Sequence, residues 1–208
     1  MKKTLKLLLA ALLCGCVAFA AAACAGGAGD NAEGGGTAPP PAAAENVLVV
    51  YFSCTGRTEG VAGTIAEATG GALHEIVPAV PYTEADLDYT VSDCRANVEQ
   101  RTPSARPEIA NSVENMADYD TVFLGYPIWQ SRAPKIIYTF LESYDFAGKT
   151  LVPFCTSGST GIAGSEADLH ALAESAAWKE GRRFSAGATA QTVREWLEEL
   201  QLLGGASA

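Results

Sequence analysis

The chain has 208 residues, with 14 Lys and Arg against 24 Asp and Glu, a net charge of −10 near neutral pH. A chain this acidic is a poor ligand for nucleic acid, whose phosphates repel it, and it would not lie flat on anionic lipid. Docking to a basic partner protein fits the charge, and so does plain solubility.

The first residues read as a targeting segment. Lys2, Lys3 and Lys6 make a basic start, and Leu7 to Ala23 carries no charge and much Leu and Ala. That is the shape of a secretory signal, and it is almost long enough to span a membrane as an uncleaved helix. Cys24 tilts the choice. It follows Ala21-Ala22-Ala23, and "AGGAGDNAEGGGTAPPPAAAE" follows it. Small residues before a cysteine and a tether after it resemble the lipobox of bacterial lipoproteins. Ala21 stands where Leu is usual. Cys16 has Leu13 at that place, but its apolar run is short and more apolar sequence follows. Residues 1–24 are therefore read as a lipoprotein signal with Cys24 as the lipidation site; an ordinary signal cut after an alanine is the alternative. Two or three acyl chains would hold the protein on the outer face of the cell membrane, through the lipid anchor only. Loss of three Lys with the leader leaves 11 basic residues against the same 24 acidic ones, a net charge of −13.

Residues 25–45 read as a linker, flexible where Gly and Ala dominate and stiffer at Pro39 to Pro41. Residues 46–208 suit one domain with a real core. Three cysteines remain after the leader and Cys24, at 54, 94 and 155. The count is odd, so no complete disulfide framework exists, although a Cys54–Cys94 bond stays open beside free thiols. No pair has zinc-finger spacing, and His74 and His170 sit in no metal-ligand pattern, so no metal site is expected.

"VLVVYF", Val47 to Phe52, is a short apolar run rich in Val, as in a parallel strand buried on both faces. Thr58 can cap a helix that runs to about Thr69 and ends at Gly70-Gly71, with Val61, Ile65 and Ala66 as its stripe. "ALHEIV", Ala72 to Val77, predicts a second strand, with His74 and Glu75 on opposite faces. Residues 78–117 hold four prolines and read as an excursion that ends in, or replaces, a crossover helix. "SDCRANVEQ" within it allows a helical turn or two capped by Ser92.

"DTVFLGY", Asp120 to Tyr126, is the third strand. Pro134 can open a helix at its first position, with Ile136, Ile137, Phe140 and Leu141 buried. "TLVPFC", Thr150 to Cys155, is the fourth strand, and a helix from about Ser165 to Ala177 follows it. A fifth strand falls within Trp178 to Phe184. A last helix runs from about Thr189 to Leu203, with Val193, Trp196, Leu197 and Leu200 inward. The alternation predicts an α/β fold, a parallel sheet with right-handed crossovers and helices on both faces. Ligands of such sheets sit at the carboxyl ends of the strands, where the winding reverses, so the loops after strands one, three and four matter most.

The first loop is Ser53-Cys54-Thr55-Gly56-Arg57-Thr58. A helix N-terminus offers unpaired N–H groups and partial positive charge, which attract phosphate; Gly56 permits the tight turn, and hydroxyls add donors. No Gly-Lys-Ser/Thr follows, so it is not a nucleotide P-loop, and hydroxyls in place of lysine point to a monophosphate held without metal. A plain helix cap would have the same composition. The second loop, "GYPIWQSRAP", Gly125 to Pro134, puts Tyr126 and Trp129 where a ligand's flat ring would lie. A lone Trp also often plugs a domain edge. The third, "CTSGSTGIAGS", Cys155 to Ser165, is rich in backbone amides without bulky side chains and can lie against a polar ligand edge, or be an ordinary turn.

At one sheet edge, the three loops together resemble the flavodoxin family. Ser53 to Thr58 is similar to its S/T-x-T-G-x-T phosphate loop, and "FLGYPIW" and "FCTSGS" are similar to its flavin-flanking loops. The resemblance covers about Val47 to Leu200. It implies a doubly wound five-stranded sheet of order 2-1-3-4-5, in which residues 78–117 would be an insertion after strand two, with FMN as cofactor and transfer of one or two electrons. By position, Ser53, Thr55, Gly56 and Thr58, with the amides of Cys54 and Arg57, would hold the phosphate. Pro127, Ile128 and Trp129 would flank the ring, and Thr156, Ser157 and Gly158 would meet its edge. Arg57 stands where Asn is common, and Cys54 is unusual there. The expectation is then an electron-transfer flavoprotein at the outer face of the membrane, with a redox partner protein, or a membrane quinone brought near by the lipid tether, as its counterpart. An FMN-dependent quinone or flavin reductase, or a binding module without flavin, are the alternatives.

Overall fold

The computed structural model describes residues 46–203. The signal, Cys24 and linker readings fall on residues 1–45, outside the described residues. Five parallel strand positions form the sheet, in the order β2-β1-β3-β4-β5, with β6 also pairing β4. β1 is Val47–Tyr51, β2 Ala72–Glu75, β3 Thr121–Pro127, β4 Thr150–Thr156, β5 Ala177–Trp178 and β6 Arg182–Phe184.

Side-chain alternation divides the core. Leu48, Val50, Val122, Leu124 and Leu151 face one side, under α4 (Lys135–Glu142) and α5 (Ala163–Leu172). Val49, Tyr51, Phe123, Val152 and Phe154 face the other, under α1 (Arg57–Thr69) and α6 (Ala190–Glu199). Both faces of β1, β3 and β4 are covered, which is why these strands read as continuous apolar runs. Each fully buried side chain of this size contributes about 1.5–3 kcal/mol relative to an exposed one.

The expected fifth strand is present as two pieces, and Pro153 accounts for the break. Ala177 and Lys179 donate to the carbonyls of Lys149 and Leu151, so alternate residues of β4 face this edge. Position 153 falls on the same side, and a proline there has no N–H to offer. The edge strand leaves β4 at Gly181, where a Cβ would stand 2.8 Å from the Pro153 ring and 2.9 Å from its carbonyl oxygen. It rejoins as β6, with Phe154 opposite Arg182.

Several boundaries differ from expectation. β2 stops at Glu75, and α5 covers Ala163–Leu172 rather than Ser165 to Ala177. Pro134 is the N-cap of α4, one residue before the helix. The excursion holds two short helices, α2 (Glu84–Leu87) and α3 (Arg95–Arg101), and a 3-10 turn at Met116–Asp118. Thr83 caps α2 in a reciprocal pair with Asp86, and Cys94, not Ser92, precedes α3. The excursion returns along the open edge beyond β2. Pro78 bridges Ile109, and the Asn111 amide donates to the Glu75 carbonyl at 2.7 Å. Among the described residues no helix is long and apolar enough to cross a membrane.

Candidate functional site

The loops after β1, β3 and β4 meet around a cavity of about 470 Å³, a usual size for a small-molecule site. All twelve residues singled out for binding except Gly56 line it. Gly56 shapes it instead. Its φ is +77°, the left-handed region, and it stands at the N-cap of α1 with no side chain satisfying the helix start.

That open start is the main feature of the first loop. Gly60 N–H donates back to Gly56 carbonyl at 3.0 Å. Among the described residues no acceptor meets the backbone N–H groups from Thr55 to Glu59. A row of unpaired donors at the N-terminus of a 13-residue helix, reinforced by its dipole, favours an anion. Ser53 and Thr55 line the cavity beside it, and Arg57 adds a cation.

Thr58 does not cap α1. It is buried, and its hydroxyl lies 2.8 Å from the hydroxyl of Thr156, also buried, which ties the first loop to the end of β4. One of the two donates to the other, so the pair keeps a single hydroxyl proton for a ligand.

Tyr126 does not reach the cavity. It is fully buried beneath the sheet edge, with its hydroxyl 2.9 Å from that of Ser165, and burial raises its pKa. Trp129 does line the cavity. Phe52 and Tyr82 meet its ring edge-on, at centroid distances of 5.6 and 5.2 Å. Tyr82 comes from the excursion and donates to Glu99 at 2.6 Å under the Arg95 guanidinium.

In the third loop Ser157 has no donor left. Its N–H goes to the Phe184 carbonyl at 3.2 Å and its hydroxyl to the Thr160 carbonyl. Gly158 N–H has no acceptor among the described residues and remains for a ligand. Cys54, Cys94 and Cys155 are all free thiols, which removes the Cys54–Cys94 bond. Desolvation pushes Cys54 up to about 11 against the opposing pull of Arg95, so it is a neutral thiol at the cavity wall. Burial pushes Cys155 up to about 12. Among the described residues no group of His, Cys, Asp and Glu could hold a metal.

Residues 46–200 match the sequence profile of a family described as flavodoxin. The chain belongs to the flavodoxin family. It is similar to a protein from Bacteroides eggerthii assigned as a flavoprotein, with 43% identity over 76% of this chain and 98% of that one, and a TM-score of 0.71. A second protein so assigned, from Bacteroides uniformis, has 44% identity over 74% of this chain and 98% of that one, also with a TM-score of 0.71. A flavoprotein from Lactobacillus acidophilus in complex with FMN shares the fold, at 24% identity over 67% of this chain and 93% of its own, with a TM-score of 0.56.

This flavodoxin-family chain also lines its cavity with residues that sequence reasoning missed. Leu87, Tyr89, Ala96 and Asn97 come from the excursion, Gln130 from the second loop, and Ala186 from beyond β6. Tyr89 is 81% exposed at the mouth, whereas Asn97 is 5% exposed. A buried asparagine in a polar helix could have been suspected from composition alone, but nothing local in the sequence says what it faces.

Proposed function

We propose that the protein binds FMN in this cavity and passes electrons at the outer face of the cell membrane, held there by lipid on Cys24. The observation that carries the reading is the row of unpaired N–H groups from Thr55 to Glu59 at the start of α1, of which Thr55, Arg57 and Thr58 line the same cavity as Trp129 and Gly158. The choice of FMN rests on family membership and on this donor set. The residues fit the group. Ser53, Thr55 and the amides of the first loop would hold a phosphate, with the remaining hydroxyl proton of the Thr58–Thr156 pair. Pro127, Ile128 and Trp129 would flank a flat ring, and the Gly158 amide would meet its polar edge.

When bound, the flavin supplies the electron chemistry, taking up and releasing one or two electrons. The chain's own part is to hold and shield it. The net negative charge opposes a further negative charge on a bound group and so lowers its potential. Lipid on Cys24, at the head of residues 25–45 and the domain beyond them, would keep the domain near membrane quinones and membrane-bound redox proteins. The Ala-Ala-Ala-Cys sequence behind a charged start and an apolar run supports that anchoring.

The test is a visible absorption titration of the purified protein with FMN and, separately, with riboflavin. The expected result is two flavin bands that shift on binding, with riboflavin bound at least tenfold more weakly because the amide row has no phosphate to meet. No binding of either flavin would overturn the reading and leave a family fold with another ligand. Steady-state turnover with quinones then tells a reductase from a carrier.

A further inference from the structure

The turn after Trp129 has a backbone conformation that its residues resist. Gln130 has φ 46° and Ser131 φ 66°, and neither is glycine. Trp129 and Arg132 exchange both backbone hydrogen bonds around them, at 2.9 and 3.0 Å. Two central residues with positive φ inside such a bonded pair make the mirror-image hairpin turn that favours Asn-Gly. A side-chain-bearing pair in that shape persists only where the surroundings hold it.

The surroundings are α3 on one side and α5 on the other. Gln100 Nε2 donates to the Trp129 carbonyl at 2.8 Å and to the Ala133 carbonyl at 3.2 Å, gripping both ends of the turn. Gln130 Nε2 donates to Asn97 Oδ1. Asn97 is itself fixed, its amide nitrogen donating to the Tyr89 and Val91 carbonyls at 3.0 and 2.8 Å. Beneath the turn lies Gly164 of α5, where a Cβ would stand 2.3 Å from the Ser131 carbonyl oxygen. Gln100 Oε1 is buried without a partner among the described residues. An orphaned acceptor is unfavourable, and an apolar side chain would avoid it, so the glutamine is explained by its two donors.

We infer that α3 is a clamp for this turn, with Gln100 and Asn97 as positioning residues that set Trp129 and Gln130 in the cavity wall. The excursion is therefore part of the binding apparatus, although most of it lies away from the cavity. The clamp belongs to the chain without ligand; its effect on flavin rests on the FMN reading above.

The test uses Gln100→Leu, Ser131→Gly and the double variant. Glycine takes φ near 66° freely, so Ser131→Gly relieves one of the two resisting positions and lessens the turn's need for the clamp. In the protein without flavin, Gln100→Leu should speed hydrogen exchange of the Trp129 and Arg132 amides by about fivefold or more. With FMN it should weaken binding by a similar factor. Adding Ser131→Gly should recover part of both losses, by about twofold or more, with Gln130 still in the left-handed region. Unchanged exchange in Gln100→Leu, or a loss that Ser131→Gly does not lessen, overturns the clamp. Should Gln100→Leu not fold, Gln100→Glu keeps the shape and replaces both donors with acceptors, and the same rescue applies. If the unaltered protein binds no FMN, the cofactor reading fails while the exchange measurement still decides the clamp.

Discussion

Replacing Gly125 with alanine should disturb fold and site together. Gly125 lies in β3 between Tyr51 of β1 and Phe154 of β4. A Cβ there would stand 2.2, 2.5 and 2.8 Å from Cζ, Cε2 and Cε1 of the Phe154 ring. Ordinary carbon contacts begin near 3.5 Å, so the ring must give by more than about 1 Å. It has little room to do so. Phe154 is fully buried, with Phe184 at 6.4 Å and Trp196 at 6.5 Å between ring centroids. Overpacking of a tight core costs about 1–3 kcal/mol, and this contact belongs at the upper end, about 3 kcal/mol. In a domain of this size that lowers Tm by about 6–12 °C.

Phe154→Leu removes the offending ring edge and alone costs about 1–2 kcal/mol, less than truncation to alanine. In the double variant the new methyl occupies space the ring has left. Its loss should fall short of the sum by at least about 1 kcal/mol. Urea unfolding of all four proteins, with the m-value as a check on two-state behaviour, measures the coupling. Gly125→Ala within about 0.5 kcal/mol of the unaltered protein, or strictly additive losses, refutes the close approach. The Gly125 carbonyl also accepts the Phe52 N–H at 2.9 Å, directly before the first loop, so the single variant should bind FMN less tightly as well.

Thr58→Val removes one partner of the buried hydroxyl pair and strands the other. It should cost about 1–2 kcal/mol by urea unfolding and weaken FMN in a fluorescence titration, while Thr58→Ser retains most of both. Cys54, with its pKa pushed from 9.0 to about 11, carries about a hundredfold less thiolate at neutral pH than an ordinary cysteine. Alkylation by iodoacetamide should be correspondingly slow, rise with pH to about 11 and slow further with FMN bound; alkylation at a free cysteine's rate contradicts that environment. Asp168 is held below its ordinary 3.8 by the Tyr138 hydroxyl and then by Arg132. A depressed carboxylate contributes stability above its unfolded pKa and loses it as pH falls through the folded value. The stability gap between the unaltered protein and Asp168→Asn should therefore be constant above about pH 5 and close on acidification below about pH 4. Cys24→Ala should release the protein from the membrane fraction of its host, and retention there would count against the lipid anchor.

Much of this protein was legible because its signals are local. Continuous apolar runs announce β1, β3 and β4, since strands covered on both faces need no polar side. Gly70 takes φ 72° and ends α1 as the Gly70-Gly71 pair predicts. The loops that line the cavity were legible for the same reason. Each is a short stretch of unusual composition directly after a strand, and parallel topology brings such stretches to one edge. The errors among them are also instructive. Thr58 reads as a helix cap within its own segment, yet its partner is Thr156, 98 residues away. Tyr126 reads as a ring for a ligand, yet strand alternation turns it into the core beside Leu124 and Val122.

The excursion was illegible because its order comes from distant partners. Residues 78–117 show weak helical periodicity and several prolines, and their helices are only four and seven residues long. Such helices are not stable by themselves. They are held by Tyr82 packing against Phe52 and Trp129, by Arg106 pairing with Glu142, and by Gln100 gripping carbonyls of the β3–α4 loop. The same bonds give the loop the rigidity its own residues lack, since Gln130 and Ser131 would not choose that turn in isolation. Order in the excursion and order in the cavity wall are thus one property, shared across about thirty residues of sequence. A change on either side, such as Gln100→Leu or Ser131→Gly, should be felt by the other.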